Sequence, residues 1–94
     1  MIVAISRFQV ARDASPLLQE RFRDRSGRVD GFPGFLGLEV LLSPAGAKVE
    51  FVLITRWADR RALKAYLRSE EFRAVHANGE EQQATFATYE LVAT

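Results

Sequence analysis

Hydrophobic and polar residues alternate along the first ten positions. Ile2, Ala4, Ser6, Phe8 and Val10 share one side, and Val3, Ile5, Arg7 and Gln9 the other. A period of two predicts a strand, and apolar residues on both sides predict that neither face is fully wet. Ser15-Pro16 is a helix start, because serine can cap free amides and proline is pre-set for the first turn. The helix is expected to run to about Arg25, with Leu18 and Phe22 four apart on one stripe and Leu17 beside them. Arg21, Arg23 and Asp24 fall on the opposite side, toward water.

Gly27, Gly31, Pro33 and Gly34 then interrupt the pattern, and Val29, Phe32 and Phe35 provide apolar contacts through a short helix and a turn. A second strand is predicted over about Phe35 to Ser43 and a third over Val49 to Trp57. The turn chemistry of Ser43-Pro44-Ala45-Gly46 joins them as an antiparallel hairpin. Asp59 reads as the N-cap of a second helix. Leu63 and Leu67 lie four apart on it, and Ala62 and Tyr66 form a neighbouring row. Ser69 can recap or bend this helix, after which Phe72, Val75 and His76 fall on one side before Asn78-Gly79 stops it. Thr85 to Val92 is the closing strand.

The resulting order, β-α-β-β-α-β, is the split βαβ arrangement of a ferredoxin-like α+β fold. Its helices cover one face of the sheet only. Yet the middle strands are apolar on both faces, with Leu36, Leu38, Val40 and Leu42 set against Phe35 and Leu41, and Phe51, Leu53 and Trp57 against Val52 and Ile54. A greasy uncovered face predicts an interface, and a second copy of the chain is the simplest cover; strand ends and loops folding over it are the alternative.

Composition narrows the function. The 94 residues suit a single domain over residues 1–94, and a core of that size gains from burial against a partner. Thirteen Lys+Arg against twelve Asp+Glu leave a net charge of +1, without the basic surplus of a nucleic-acid binder. The absence of cysteine removes disulfides, thiolate metal sites and a thiol nucleophile. Met1 to Arg12 carries no basic leader and is too short to span a bilayer, so no membrane association and a cytoplasmic location are expected.

The run Arg28-Val29-Asp30-Gly31-Phe32-Pro33-Gly34-Phe35-Leu36-Gly37, then Ile54-Thr55-Arg56-Trp57-Ala58-Asp59, then Ser69-Glu70-Glu71-Phe72-Arg73-Ala74-Val75-His76, resembles the antibiotic biosynthesis monooxygenase family. The likeness covers nearly the whole chain and implies a dimeric α+β barrel. Members resembling it include metal- and flavin-free oxygenases of aromatic polyketides and heme-degrading monooxygenases. In the heme-degrading branch the resemblance implies an axial histidine at His76, a tryptophan ten residues earlier and an asparagine on the first strand. This chain has Tyr66 and Ser6 at the last two positions.

The candidate catalytic set is therefore Ser6, Tyr66 and His76, with His76 as ligand to heme iron if heme is bound. His76 is the only imidazole for iron ligation or acid–base work; otherwise it is a helix-end histidine facing terminal carbonyls. Tyr66 can stack on a planar ligand and offer a hydroxyl, or pack in the core. Ser6 can donate one hydrogen bond to dioxygen or a substrate oxygen, where an asparagine amide has two donors and an acceptor. Trp57 is expected to pack under the second helix. The stretch from Ala77 to Ala84 is short and acidic, with Glu80 and Glu81, so a long lid over a large cofactor is hard to build, which counts against tight heme burial; it could still close one edge of a smaller aromatic pocket. Arg7, Arg21, Arg25 and Arg56 could meet a carboxylate or propionate, but surface arginine is common and spacing assigns none of them a role.

Phosphate loops, paired metal-binding histidines and a Ser-His-Asp grouping are lacking. Three readings remain open. One is a monooxygenase that binds and degrades heme. The second is a cofactor-free oxygenase whose small aromatic substrate reduces dioxygen itself, with His76 or Tyr66 assisting deprotonation. The third is a non-catalytic dimeric binding module, motivated by Ser6 and Tyr66.

Overall fold

The computed structural model describes residues 1–24, 30–69 and 85–94. Its elements are β1 (Ile2–Ala11), a 3-10 turn (Arg12–Ala14), α1 (Ser15–Asp24), β2 (Phe35–Ala45), β3 (Lys48–Trp57), α2 (Arg60–Leu67) and β4 (Thr85–Glu90). The four strands form one antiparallel sheet in the order β2-β3-β1-β4, the α+β ferredoxin-like arrangement that the alternation predicts. Arg25, Val29, Phe72, Val75, His76 and Asn78-Gly79 lie outside the described residues, and with them the last turns expected after Ser69.

The sheet is built on β1 and β3, paired without interruption from Ile2 opposite Trp57 to Ala11 opposite Lys48. Ile2, Ala4, Phe8 and Val10 of β1, with Val49, Phe51, Leu53 and Trp57 of β3, are buried on the face the helices cover. β2 and β3 are joined through Gly46-Ala47, Ala45 pairing with Lys48. Gly46 has φ +66, the left-handed backbone that a tight two-residue hairpin turn requires at its first position. β2 runs two residues further than its sequence pattern suggested, and β4 ends at Glu90 rather than Val92.

Strict alternation places Phe35 with Leu41 and Leu36 with Leu38. The structure reverses this: a bulge between Phe35 and Gly37 adds one residue, so Phe35 joins Leu38 and Val40 on the helix face and Leu36 is exposed. Leu17 is also exposed, because one helical step from Leu18 carries it off the buried stripe of Leu18 and Phe22. Ser15 is the first residue of α1 itself, buried, with its hydroxyl accepting from the Gln19 side-chain amide at 3.1 Å.

Asp59 caps α2 as its sequence position predicts, Oδ1 accepting from the Ala62 amide at 2.8 Å. Ser69 closes the same helix, its amide donating to the Tyr66 carbonyl at 2.9 Å.

The core divides into two clusters. Under α1, Leu18 and Phe22 meet Phe8, Val10, Val49, Phe51 and Leu53, with Phe8 and Phe51 stacked at 5.6 Å and 17°. Under α2, Leu63 and Tyr66 meet Ile2, Ala4 and Trp57, flanked by Phe32, Phe35, Leu38, Ala62 and Leu67.

Candidate functional site

The second cluster explains why the family-like motifs have their form. Phe32, Phe35 and Tyr66 surround the fully buried indole of Trp57, with ring centroids 6.1, 5.4 and 4.9 Å from it. The indole N–H, a donor that burial makes costly to leave unmet, donates to Thr55 Oγ1 at 2.9 Å. Gly34, between Phe32 and Phe35 in the chain, has φ +81, and its carbonyl accepts from the Ala58 amide at 2.8 Å. A Cβ on Gly34 would collide with the Cβ of Ala62. The Phe-Pro-Gly-Phe-Leu-Gly and Thr-Arg-Trp segments thus dock on each other and on α2, and their shared work is structural.

Ser6 lies on the helix face of β1, half-buried, opposite Leu53 on β3 and Phe86 on β4. Leu53 in turn faces Val40 on β2. A single cross-strand row, Val40-Leu53-Ser6-Phe86, therefore crosses the whole sheet, and its two members on β1 and β4 belong to neither cluster. The next row toward α2 is Leu38-Thr55-Ala4-Thr88, with both threonines half-buried. The floor between the clusters thus carries three hydroxyls, from Ser6, Thr55 and Thr88, within otherwise apolar surroundings. Such a surface suits a largely apolar ligand oriented by few polar contacts.

Tyr66 stands on the same side of the sheet as Ser6 but is buried in the α2 cluster, against Trp57 and Phe32. His76 lies outside the described residues, as do Arg25, Glu80 and Glu81. Trp57 is core, as its sequence context suggests. Arg56 is on the face opposite the described helices, where it pairs with Glu39, and Arg7 shares that face. Arg21 is exposed on α1. Phe86 was not singled out by sequence reasoning. It is 52% exposed although its strand position directs it to the helix face. Only the β1–β4 register, a tertiary relationship, reveals it as the neighbour of Ser6.

Among the described residues no helix is long and apolar enough to cross a membrane.

The chain matches the antibiotic biosynthesis monooxygenase family over residues 1–78. A mycobilin-producing heme oxygenase of Mycobacterium tuberculosis is 34% identical over 65 residues, 69% of this chain and 61% of that protein. The aligned region thus spans less than two thirds of that relative. A heme-degrading monooxygenase of Shouchella clausii is 33% identical over 78 residues, 82% of this chain and 72% of its own. Among solved structures, the heme degrader MhuD from Mycobacterium tuberculosis, with two hemes bound in its active site, superposes with a TM-score of 0.81 at 30% identity. That superposition covers 100% of this chain and 98% of MhuD. The motif cluster around Trp57, the split βαβ sheet and these matches agree: the chain belongs to the antibiotic biosynthesis monooxygenase family.

Proposed function

We propose that this protein is a heme-degrading monooxygenase that takes heme as its substrate on the helix face of the sheet and works as a homodimer. The observation that carries the reading is the whole-chain likeness to a heme degrader with heme in its active site. It is supported by the floor between the two core clusters, where Ser6 is a half-buried hydroxyl beside apolar and aromatic side chains.

In this reading heme, once bound, supplies the iron at which dioxygen is activated, with electrons from an external reductant. His76, the only histidine in the sequence, would hold that iron through its imidazole. Ser6 would offer its single O–H as a donor to a bound oxygen. Tyr66 is a positioning residue, since its ring is held against Trp57 and fixes α2 to the sheet. The apolar floor excludes water and orients the macrocycle.

The homodimer is supported by the sheet face opposite the described helices. Val3 and Ile5 of β1, Val52 and Ile54 of β3 and Leu41 of β2 project there, on the side opposite the described helices α1 and α2. A contiguous apolar surface of this kind is a recurrent mark of association.

The test is a hemin titration of the purified protein, followed by reductant and dioxygen. A saturable Soret shift and subsequent Soret decay, both lost or weakened in His76→Ala, are expected. Absence of any saturable shift would overturn heme as substrate and leave the small-aromatic oxygenase and the non-catalytic module.

A further inference from the structure

We infer that Phe86 is a substrate-contacting residue of the site, forming the flat aromatic wall against which one face or edge of the macrocycle packs beside Ser6; the inference rests on the heme-substrate reading above. Phe86 faces the same side of the sheet as the core, yet it remains 52% exposed, and neither the α1 nor the α2 cluster includes it. A large aromatic residue directed toward the helix side of the sheet but left open there has surface to give to a ligand.

Its neighbours define what that ligand contacts. Phe86 is directly opposite Ser6, so their Cβ atoms are roughly 5 Å apart as in any facing antiparallel pair. Beyond Ser6 the row continues through buried Leu53 to Val40. Two positions along β4, on the same face, is the half-buried hydroxyl of Thr88. An aromatic wall, a hydroxyl beside it and an apolar floor make a surface for a planar, largely hydrophobic ring system with polar groups at its edge. Porphyrins belong to that chemical class.

A ring contact does not depend on the metal, whereas histidine ligation does, and this separates the two contributions. Hemin and metal-free protoporphyrin IX are each titrated into the wild type, Phe86→Ala, Phe86→Leu and His76→Ala. The expected result for Phe86→Ala is a loss of roughly three- to tenfold in affinity for both porphyrins by about the same factor. Phe86→Leu, which keeps apolar bulk without the flat π face, should fall between Phe86→Ala and the wild type. His76→Ala should weaken hemin far more than protoporphyrin IX. Because Phe86 is an exposed side chain on an edge strand, the thermal midpoints of both Phe86 variants should stay near that of the wild type. Unchanged affinity of Phe86→Ala for both porphyrins, or a loss confined to hemin, overturns the inference while the functional reading stands. A wild type that binds neither porphyrin overturns both.

Discussion

The ring of Tyr66 lies 4.9 Å, centroid to centroid, from the indole of Trp57, and that contact ties α2 to the end of β3. Truncation at Tyr66 should therefore be felt first in stability. Tyr66→Ala is expected to cost about 3–5 kcal/mol, as for other large buried aromatic side chains. Tyr66→Phe, which keeps the ring, should cost no more than about 1.5 kcal/mol, the usual value of one hydrogen bond. Urea denaturation monitored by Trp57 fluorescence measures both. A Tyr66→Ala protein as stable as the wild type, but inactive, would instead make Tyr66 a direct participant in the chemistry.

Gly34 tests the docking of the turn on α2. Gly34→Ala meets two penalties, a φ of +81 that L residues avoid and a collision with Ala62. A loss of about 2 kcal/mol or more is expected from strain and overpacking together. Ala62→Gly in the same chain removes the collision but not the backbone strain, and so should restore part of the loss. Thermal denaturation of the single and double variants reads out the difference. Full recovery would assign the whole penalty to the collision.

Val52 and Leu53 are adjacent in sequence and opposite in consequence. Leu53 is buried under α1, so Leu53→Asp should unfold the protein through an unpaired buried charge. Leu38, half-buried against the α2 cluster, should respond to a charge in the same direction. Val52 faces the side opposite α1 and α2, so Val52→Asp should leave the monomer folded and break the proposed dimer. Circular dichroism with light scattering at micromolar concentration separates the two outcomes. A wild-type monomer throughout that range would remove the homodimer.

Asp59 offers a smaller and cleaner effect. Asp59→Ala removes the side chain that accepts from the Ala62 amide and should cost about 1 kcal/mol, with Asp59→Asn close to neutral. Chemical denaturation of the two variants gives the comparison.

Much of this architecture was legible in the sequence, and its failures have physical causes. The alternation in β1 correctly placed Ser6 with Ile2, Ala4, Phe8 and Val10, because a paired strand with no bulge keeps its period of two. In β2 the same rule failed at Phe35 and Leu36, since a bulge inserts a residue without an unmistakable sequence mark. Asp59 was legible as a cap because the capping interaction is local. Phe86 was not, since its significance comes from standing across from Ser6, 80 residues away in the chain. For Tyr66, the family resemblance suggested a ligand-facing aromatic and its row on the helix a core residue; the packing of Phe32, Trp57 and Tyr66 buries its ring in the α2 cluster, a tertiary contact that neither reading could place in advance.

The division of the core into two clusters bears on how such a chain can change over evolutionary time. Each helix is anchored by its own set of aromatic and aliphatic contacts, one centred on Phe8 and Phe51, the other on Trp57. Ser6 and Phe86 stand in the seam and belong to neither anchor. On the proposed reading, substitutions at those two positions would retune what the sheet floor recognises while leaving both anchors intact. A new ligand preference arising there would come with little loss of folding free energy, and would not have to wait for compensating mutations elsewhere in the chain.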